Sequence, residues 1–397
     1  PTLVLLGPDG KEVGRYAGEG HKDAIAGEIK KLSLGDVKAA ELQMKQEEDL
    51  SPFSFPSRVK LAKNPDKFIQ KGFNTEAYQG RTLIVANTGY NSIYRRDLDR
   101  RSAGNIADTW NEGFKDGRRV RASLNHPRGF AETDEGIYIA DTDNHLLRYR
   151  AFSGGGIKTV AGTGERGLYP QVKDRNALQI PLASPWDVAL MPDGKTLVIA
   201  MAGLHQLWTY DIEKKTVSTL AGTGAEGIKD GPAAEATLAQ PSGLAIDGDT
   251  IYFVDAESSS LRMLKDGQIK TLIGTGLFDY GLVDGKYPEA MLQHPQGLNV
   301  YKGKIYIADT YNNAIRVYDI ATATLSTVKQ NIPMPAGEKI DSAILTQLTK
   351  NIPEPTDILV TDDAVYITGS DLQMLSTWNL KDGELTRVWP PKRVGLE

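Results

Sequence analysis

Two stretches, GTGERG at 162–167 and GTGAEG at 222–227, carry the G-x-G-x-x-G spacing with which a backbone turn can cradle a dinucleotide pyrophosphate. That chemistry needs a strand before the glycines and a helix opening at the last of them, and neither stretch opens a helix. GTG recurs at 274–276, so these glycines read as recurring connectors in which positive φ is required, and no cofactor is expected. Five histidines raise the question of a metal. His145 and His205 occupy one column of an internal alignment whose other members are Asn91, Ser259, Asn313 and Gln373. All six can bond a turn backbone, so capping explains the column and no metal is assigned to it. The chain has no cysteine, which removes thiolate nucleophiles, disulfides and Cys-ligated metals from these 397 residues. A serine nucleophile elbow, an HExxH helix and a GK[ST] phosphate loop are absent as well.

What remains depends on the elements that position it. A proline followed by a short apolar-alternating run occurs at Pro56, Pro127, Pro185, Pro241, Pro295 and Pro355, with spacings of 71, 58, 56, 54 and 60 residues. Each proline opens a strand-like stretch, and a second strand follows: LIVAN, IYIAD, LVIAM, IYFVD, IYIAD or VYITG. Third and fourth strands complete each unit. An open sheet of so many strands would leave edges to aggregate, whereas radial repetition protects them. The expected fold is all-β, a six-bladed β-propeller, with blade one beginning near 57, blade six ending near 390, and no strand exchanged between the terminal blades.

Three columns follow. Three residues before each proline stands Phe53, Leu124, Leu182, Leu238, Leu292 or Ile352, an apolar anchor between blades. The second strand ends in Asp141, Asp255 or Asp309 where Arg148, Arg262 or Arg316 stands seven residues on. Blades one, three and six lack both partners, as expected of an ion pair that is kept or lost as a unit. Around the start of the inner strands lie Arg58, His126, Arg128, Trp186, Asp187, His294, Gln296 and Asp357. These line the expected channel mouth and form the candidate ligand- or partner-binding set; no catalytic residue is assigned. The connectors around 101–123, 164–182, 224–238, 276–292 and 330–352 are expected to flank that face as loops.

IADTDNHLLR at 139–148 and IADTYNNAIR at 307–316, with HPRG at 126–129 and HPQG at 294–297, resemble the NHL repeat family of six-bladed propellers over roughly residues 52–391. Blades two, four and five fit closely; blades three and six are degenerate, and blade one carries a long segment at 63–80. PTLVLLGPDGKEVGRYAGEG followed by HKDAIAGEIKKL resembles the end of a thioredoxin-like domain, in which a Pro-Thr pair, here Pro1 and Thr2, opens the last hairpin. The expected organisation is therefore a small α/β remnant at 1–34, a charged helical linker at 35–51 and the propeller at 52–397. The resemblance implies a fragment of an NHL-repeat-containing protein of the combined type, linked to redox homeostasis.

A formal net charge of -5 lacks the electrostatic footprint of a nucleic-acid binder, and the longest apolar run, LVIAMAGL at 197–204, is too short to cross a bilayer. The expected partner is a protein, a peptide or a small polar ligand at the loop-bearing face, in a cytoplasmic setting. The fold hosts scaffolding, RNA-binding and enzymatic activities alike, so two further readings stand beside a binding or scaffold propeller. One is a metal-dependent hydrolase or lyase at the channel mouth, the other a substrate-selecting module of a thiol-disulfide oxidoreductase. A chain without thiols has nothing to attack a disulfide. An insulin-reduction assay on the pure protein is expected to stay at the uncatalysed rate, and reproducible turnover would contradict that chemistry.

Overall fold

The computed structural model describes residues 2–6, 12–17, 24–25, 27–28, 54–68, 81–98, 103–107, 112–118, 122–168, 171–328, 354–370, 374–379 and 385–387. The chain divides into two compact units, Pro1–Leu50 and Ser51–Glu397. In the first, strands Thr2–Leu6 and Glu12–Ala17 pair antiparallel with a register shift at Leu5/Leu6, and residues 24–25 and 27–28 are helical. Pro1 and the expected linker at 35–51 lie outside the described residues.

The second unit is six antiparallel sheets, each built on four consecutive strands, and in blades three and four a two-residue strand of the incoming connector, Arg175–Asn176 or Gly231–Pro232, adds to the outer edge; this is the expected propeller. Blade two runs Pro127–Glu132, Gly136–Asp141, Leu146–Ala151 and Ile157–Ala161, from the inner strand outward. Blade one starts at Pro56 and blade six ends with Leu385–Arg387, and neither borrows a strand from the other. Closure is by side chains instead. Thr356 Oγ1 donates to the Pro56 carbonyl at 2.6 Å, Val59 N donates to Asp357 Oδ2 at 2.9 Å, and Val59, Leu83 and Val85 pack with Ala364, Tyr366 and Leu375.

A strand pair with apolar residues on both faces must bury both, and a ring of blades does so between neighbours. The six apolar clusters of the described residues accordingly fall one at each blade boundary. Leu124, Leu182, Leu238 and Leu292 of the anchor column are fully buried there, each contributing about 1.5–3 kcal/mol by removal from water. Phe53 and Ile352 lie outside the described residues.

The column of turn residues works across blades. Asn91 Oδ1, His145 Nδ1, His205 Nδ1, Ser259 Oγ and Asn313 Oδ1 each accept a hydrogen bond from the backbone N–H of the residue before the next blade's proline, at 2.7 to 3.2 Å. That residue is in turn left-handed in every blade, with φ from 46° at Phe55 to 63° at Gln240, and none of the six is glycine. A non-glycine residue in this region costs about 1 kcal/mol or more, so the incoming acceptor holds a conformation that the chain alone would not favour. Gln373 lies outside the described residues.

The Asp/Arg column forms the expected pairs and does more. Arg148 reaches Asp141 at 2.6 Å, Arg262 reaches Asp255 at 3.0 Å and Arg316 reaches Asp309 at 2.8 Å, every one of these six side chains fully buried. The other guanidinium nitrogen meets a second aspartate from the incoming connector: Asp116, Asp230 or Asp284, at 2.9 to 3.0 Å. Connector carbonyls take further donors, as Thr237 and Lys229 do for Arg262 at 2.7 and 3.1 Å, while the Nε of each of the three arginines is buried without an acceptor. Each second aspartate precedes a glycine with φ between 126° and 151°, which bridges to the outer strand of the same blade. Only glycine adopts that φ freely, so the Asp-Gly pair fixes the connector against the blade edge. The connectors around 112–118, 224–238 and 276–292 are therefore clamped structure where open loops were expected.

Removing one partner of a buried pair strands the other, at a cost of about 3–5 kcal/mol, whereas an exposed pair contributes about 0–1 kcal/mol. Asp230 is 42% exposed, Arg262 and Asp255 fully buried. Urea unfolding should accordingly show a large loss for Arg262→Met and a small one for Asp230→Asn. Equal losses would place the stabilisation elsewhere.

Candidate binding face at the channel mouth

The second residue after each blade-opening proline forms a ring: Arg58, Gly129, Asp187, Gly243, Gly297 and Asp357. The charged members meet across the axis. Arg58 Nη1 lies 2.8 Å from Asp357 Oδ1 and Nη2 lies 3.2 Å from Asp187 Oδ2, with the Ser242 carbonyl at 3.3 Å. Asp187 also accepts from the backbone of Val188 and Leu244, at 2.8 and 3.0 Å. All three side chains are buried. The glycines make room for them: a Cβ on Gly129 would stand 2.4 Å from Asp187 Oδ1, and one on Gly297 2.3 Å from Asp357 Oδ1. Burial raises the pKa of Asp357 and Arg58 opposes it.

Arg58, Asp187 and Asp357 thus plug the channel, one level below the mouth where the sequence placed them as contact residues. Asp187→Ala would leave Arg58 short of a counter-ion, so that substitution reads stability before it reads binding.

At the mouth itself the residue after the proline is Ser57, Arg128, Trp186, Ser242, Gln296 or Thr356. The Ser242 and Thr356 hydroxyls are committed to backbone carbonyls, and Ser57 to Thr88 and the Arg128 carbonyl. Arg128, Trp186 and Gln296 are partly exposed. The Arg128 guanidinium stacks over the Trp186 ring at 4.0 Å, a cation–π contact. Among the described residues it has no carboxylate partner, and its Nε is buried without an acceptor. Burial lowers its pKa, with Asp143 opposing.

The two histidines stand apart from that pair. His126 Nδ1 lies 2.7 Å from Asp143 Oδ2, and His294 stacks on Tyr311 with ring centroids 4.4 Å apart and planes 10° from parallel. Gln296 makes no side-chain bond to either group among the described residues. Asp143 and Tyr311, with Glu257 near His294, went unassigned in the sequence; they share one column, two residues past the second strand. Among the described residues, no three His, Asp or Glu side chains converge as metal ligands.

Burial pushes the His294 imidazole down to about 4. A histidine with its folded pKa below its unfolded value contributes stability that is complete above about pH 6.5 and is lost as pH falls through about 4. Proton NMR should find the His294 inflection near 4, and His294→Gln should flatten that part of the stability profile. An inflection above 6 would mean that the ring is solvated.

No family model matches the chain. It is 32% identical over 430 residues to NHL repeat-containing protein 2 of Gallus gallus, covering 96% of this chain and 55% of that protein. It is 31% identical over 421 residues to Protein SUPPRESSOR OF QUENCHING 1, chloroplastic, of Arabidopsis thaliana, covering 100% of this chain and 38% of that protein. The chain thus spans about half the length, or less, of these relatives. Among solved structures it is similar to a streptogramin B lyase, with 11% identity and a TM-score of 0.49 over 88% of this chain and 87% of that one. Helices long and apolar enough to cross a membrane are absent among the described residues. With IADT placed on blades two and five of the six sheets, the chain's homologues are NHL repeat-containing proteins and its fold is a six-bladed propeller.

Proposed function

We propose that the propeller is a non-catalytic binding or scaffold module, and that its contact surface for a protein, a peptide or a small polar ligand is the mouth around Arg128 and Trp186. One observation carries this: the Arg128 guanidinium lies against the broad face of Trp186, and among the described residues no carboxylate forms an ion pair with it. Such a pair offers apolar area and an anchor for an anion, the mixture that binding sites combine. His126, His294 and Gln296 stand on the same rim and supply polar neighbours. The clamped connectors and the buried plug support the reading from below, because a surface that does not rearrange loses little entropy on binding. The order of hairpin and helical residues in the first unit supports reading residues 1–34 as the end of a thioredoxin-like domain. In a longer protein the propeller would then select what that domain meets.

Panning a random peptide library against the whole chain tests the surface. Peptides rich in Asp or Glu are expected to enrich, with Trp186→Ala and Arg128→Ala each weakening them about tenfold, or about 1.4 kcal/mol. Hydrogen exchange should show protection at the inner-strand starts. Protection confined to the opposite face, or unchanged affinity in both variants, would refute the assignment.

A further inference from the structure

On the far side of the Arg58 plug, toward the turns between first and second strands, the channel widens into a cavity of about 310 Å³. The fourth residue after each blade-opening proline explains it. That ring reads Lys60, Ala131, Ala189, Ala245, Asn299 and Leu359, and all six line the cavity. Three consecutive blades place a methyl group where their neighbours place longer side chains. The volume is close to the lower end for small-molecule sites, roughly 300–1,000 Å³.

The wall is mixed, polar and apolar in equal measure, with Leu244 and Ile246 among the lining residues. Its polar groups are largely committed. Glu132 accepts from Lys63 N, Asn64 N and Asn64 Nδ2 at 2.8 to 3.0 Å. Asp357 is held by Arg58 and Val59 N. Arg58 Nε is buried without an acceptor, and two further donors are left over. Lys60 Nζ gives protons to the carbonyls of Phe130 at 2.7 Å and Val188 at 3.4 Å, and no carboxylate among the described residues pairs with it. An ammonium has three protons, so one remains. Asn299 Oδ1 accepts from Val360 N at 3.0 Å, which fixes the amide orientation and leaves its Nδ2 without a bond among the described residues. Burial lowers the Lys60 pKa while Asp187 and Asp357 act to hold the proton on.

A chamber whose wall combines aliphatic residues with unspent donors, cationic ones among them, is complementary to an acceptor-only anion with an aliphatic tail. We propose that this half of the channel is a second binding site, independent of the mouth, for a small aliphatic monocarboxylate. The carboxylate bonds the Lys60 ammonium and the Asn299 amide, and the chain packs on Leu244 and Ile246.

Hexanoate is the probe, titrated calorimetrically into the whole chain. Saturable one-to-one binding is expected, with hexan-1-ol and hexylammonium at least about tenfold weaker. Lys60→Met should weaken hexanoate at least about tenfold, and Ala189→Leu should abolish binding by filling the chamber. Glu213→Gln, in an exposed turn of blade three, should leave it unchanged. Both channel variants are checked for native circular dichroism, and the comparison of probes on the unmodified chain needs no variant. Absence of saturable heat, equal binding of hexan-1-ol, or full affinity in folded Ala189→Leu would overturn the assignment.

Discussion

A guanidinium taken out of water needs several partners at once, and three times in this chain its two terminal nitrogens find them in two different places. One hydrogen-bonding edge of Arg148, Arg262 or Arg316 binds the aspartate of its own hairpin, and the other binds an aspartate and carbonyls of the connector arriving from the previous blade. The arginine therefore joins a blade to the segment that delivers it. Desolvation works against such a pair: burial outweighs the neighbouring Arg148, and the Asp141 carboxyl is raised to about 6. What it secures is arrangement, since one guanidinium holds blade and connector together through its two terminal nitrogens, its Nε staying unbonded.

Blades without the arginine reach similar ends by other chemistry. In blade three Trp208 fills the site, fully buried, its indole N–H bonded to Gln206 Oε1 at 2.8 Å, while Gln206 Nε2 donates to the Gly222 carbonyl at 2.9 Å. Met201 stands where aspartate would be, with its sulfur 3.3 Å from Ala183 N. In blade one Asn87 Oδ1 accepts from Ser54 N at 2.8 Å, keeping the aspartate's bond to the backbone without its charge. The backbone donor before each blade is the common demand, and the residue that answers it varies.

Much of this was legible because it is local. Asp and Arg seven residues apart share one hairpin, so their joint presence or absence shows in any internal alignment. The second aspartate is 32 residues before its arginine, and a partner so distant shows no hairpin register. The Asp-Gly pairs at 116, 230 and 284 were visible, yet they read as turns because turn and clamp use the same dipeptide. Charges replacing glycine after Pro56, Pro185 and Pro355 pointed to the axis. That they neutralise one another there, instead of facing a partner, follows only from the closure of the ring. The alanines at 131, 189 and 245 carried no signal at all, since a small residue is informative only once the space beside it is known.

The central ion-pair triad also decides what kind of passage the ring encloses. Arg58 spans from blade one to carboxylates on blades three and six, and glycines on the other three blades close in around it. The axis is therefore crossed at that level by charge bound to charge, and its two sides differ in character: rings and charges at the mouth, and a mixed wall around Lys60 beyond it. A molecule built from one repeated blade thus presents two chemically unlike ends to its own channel.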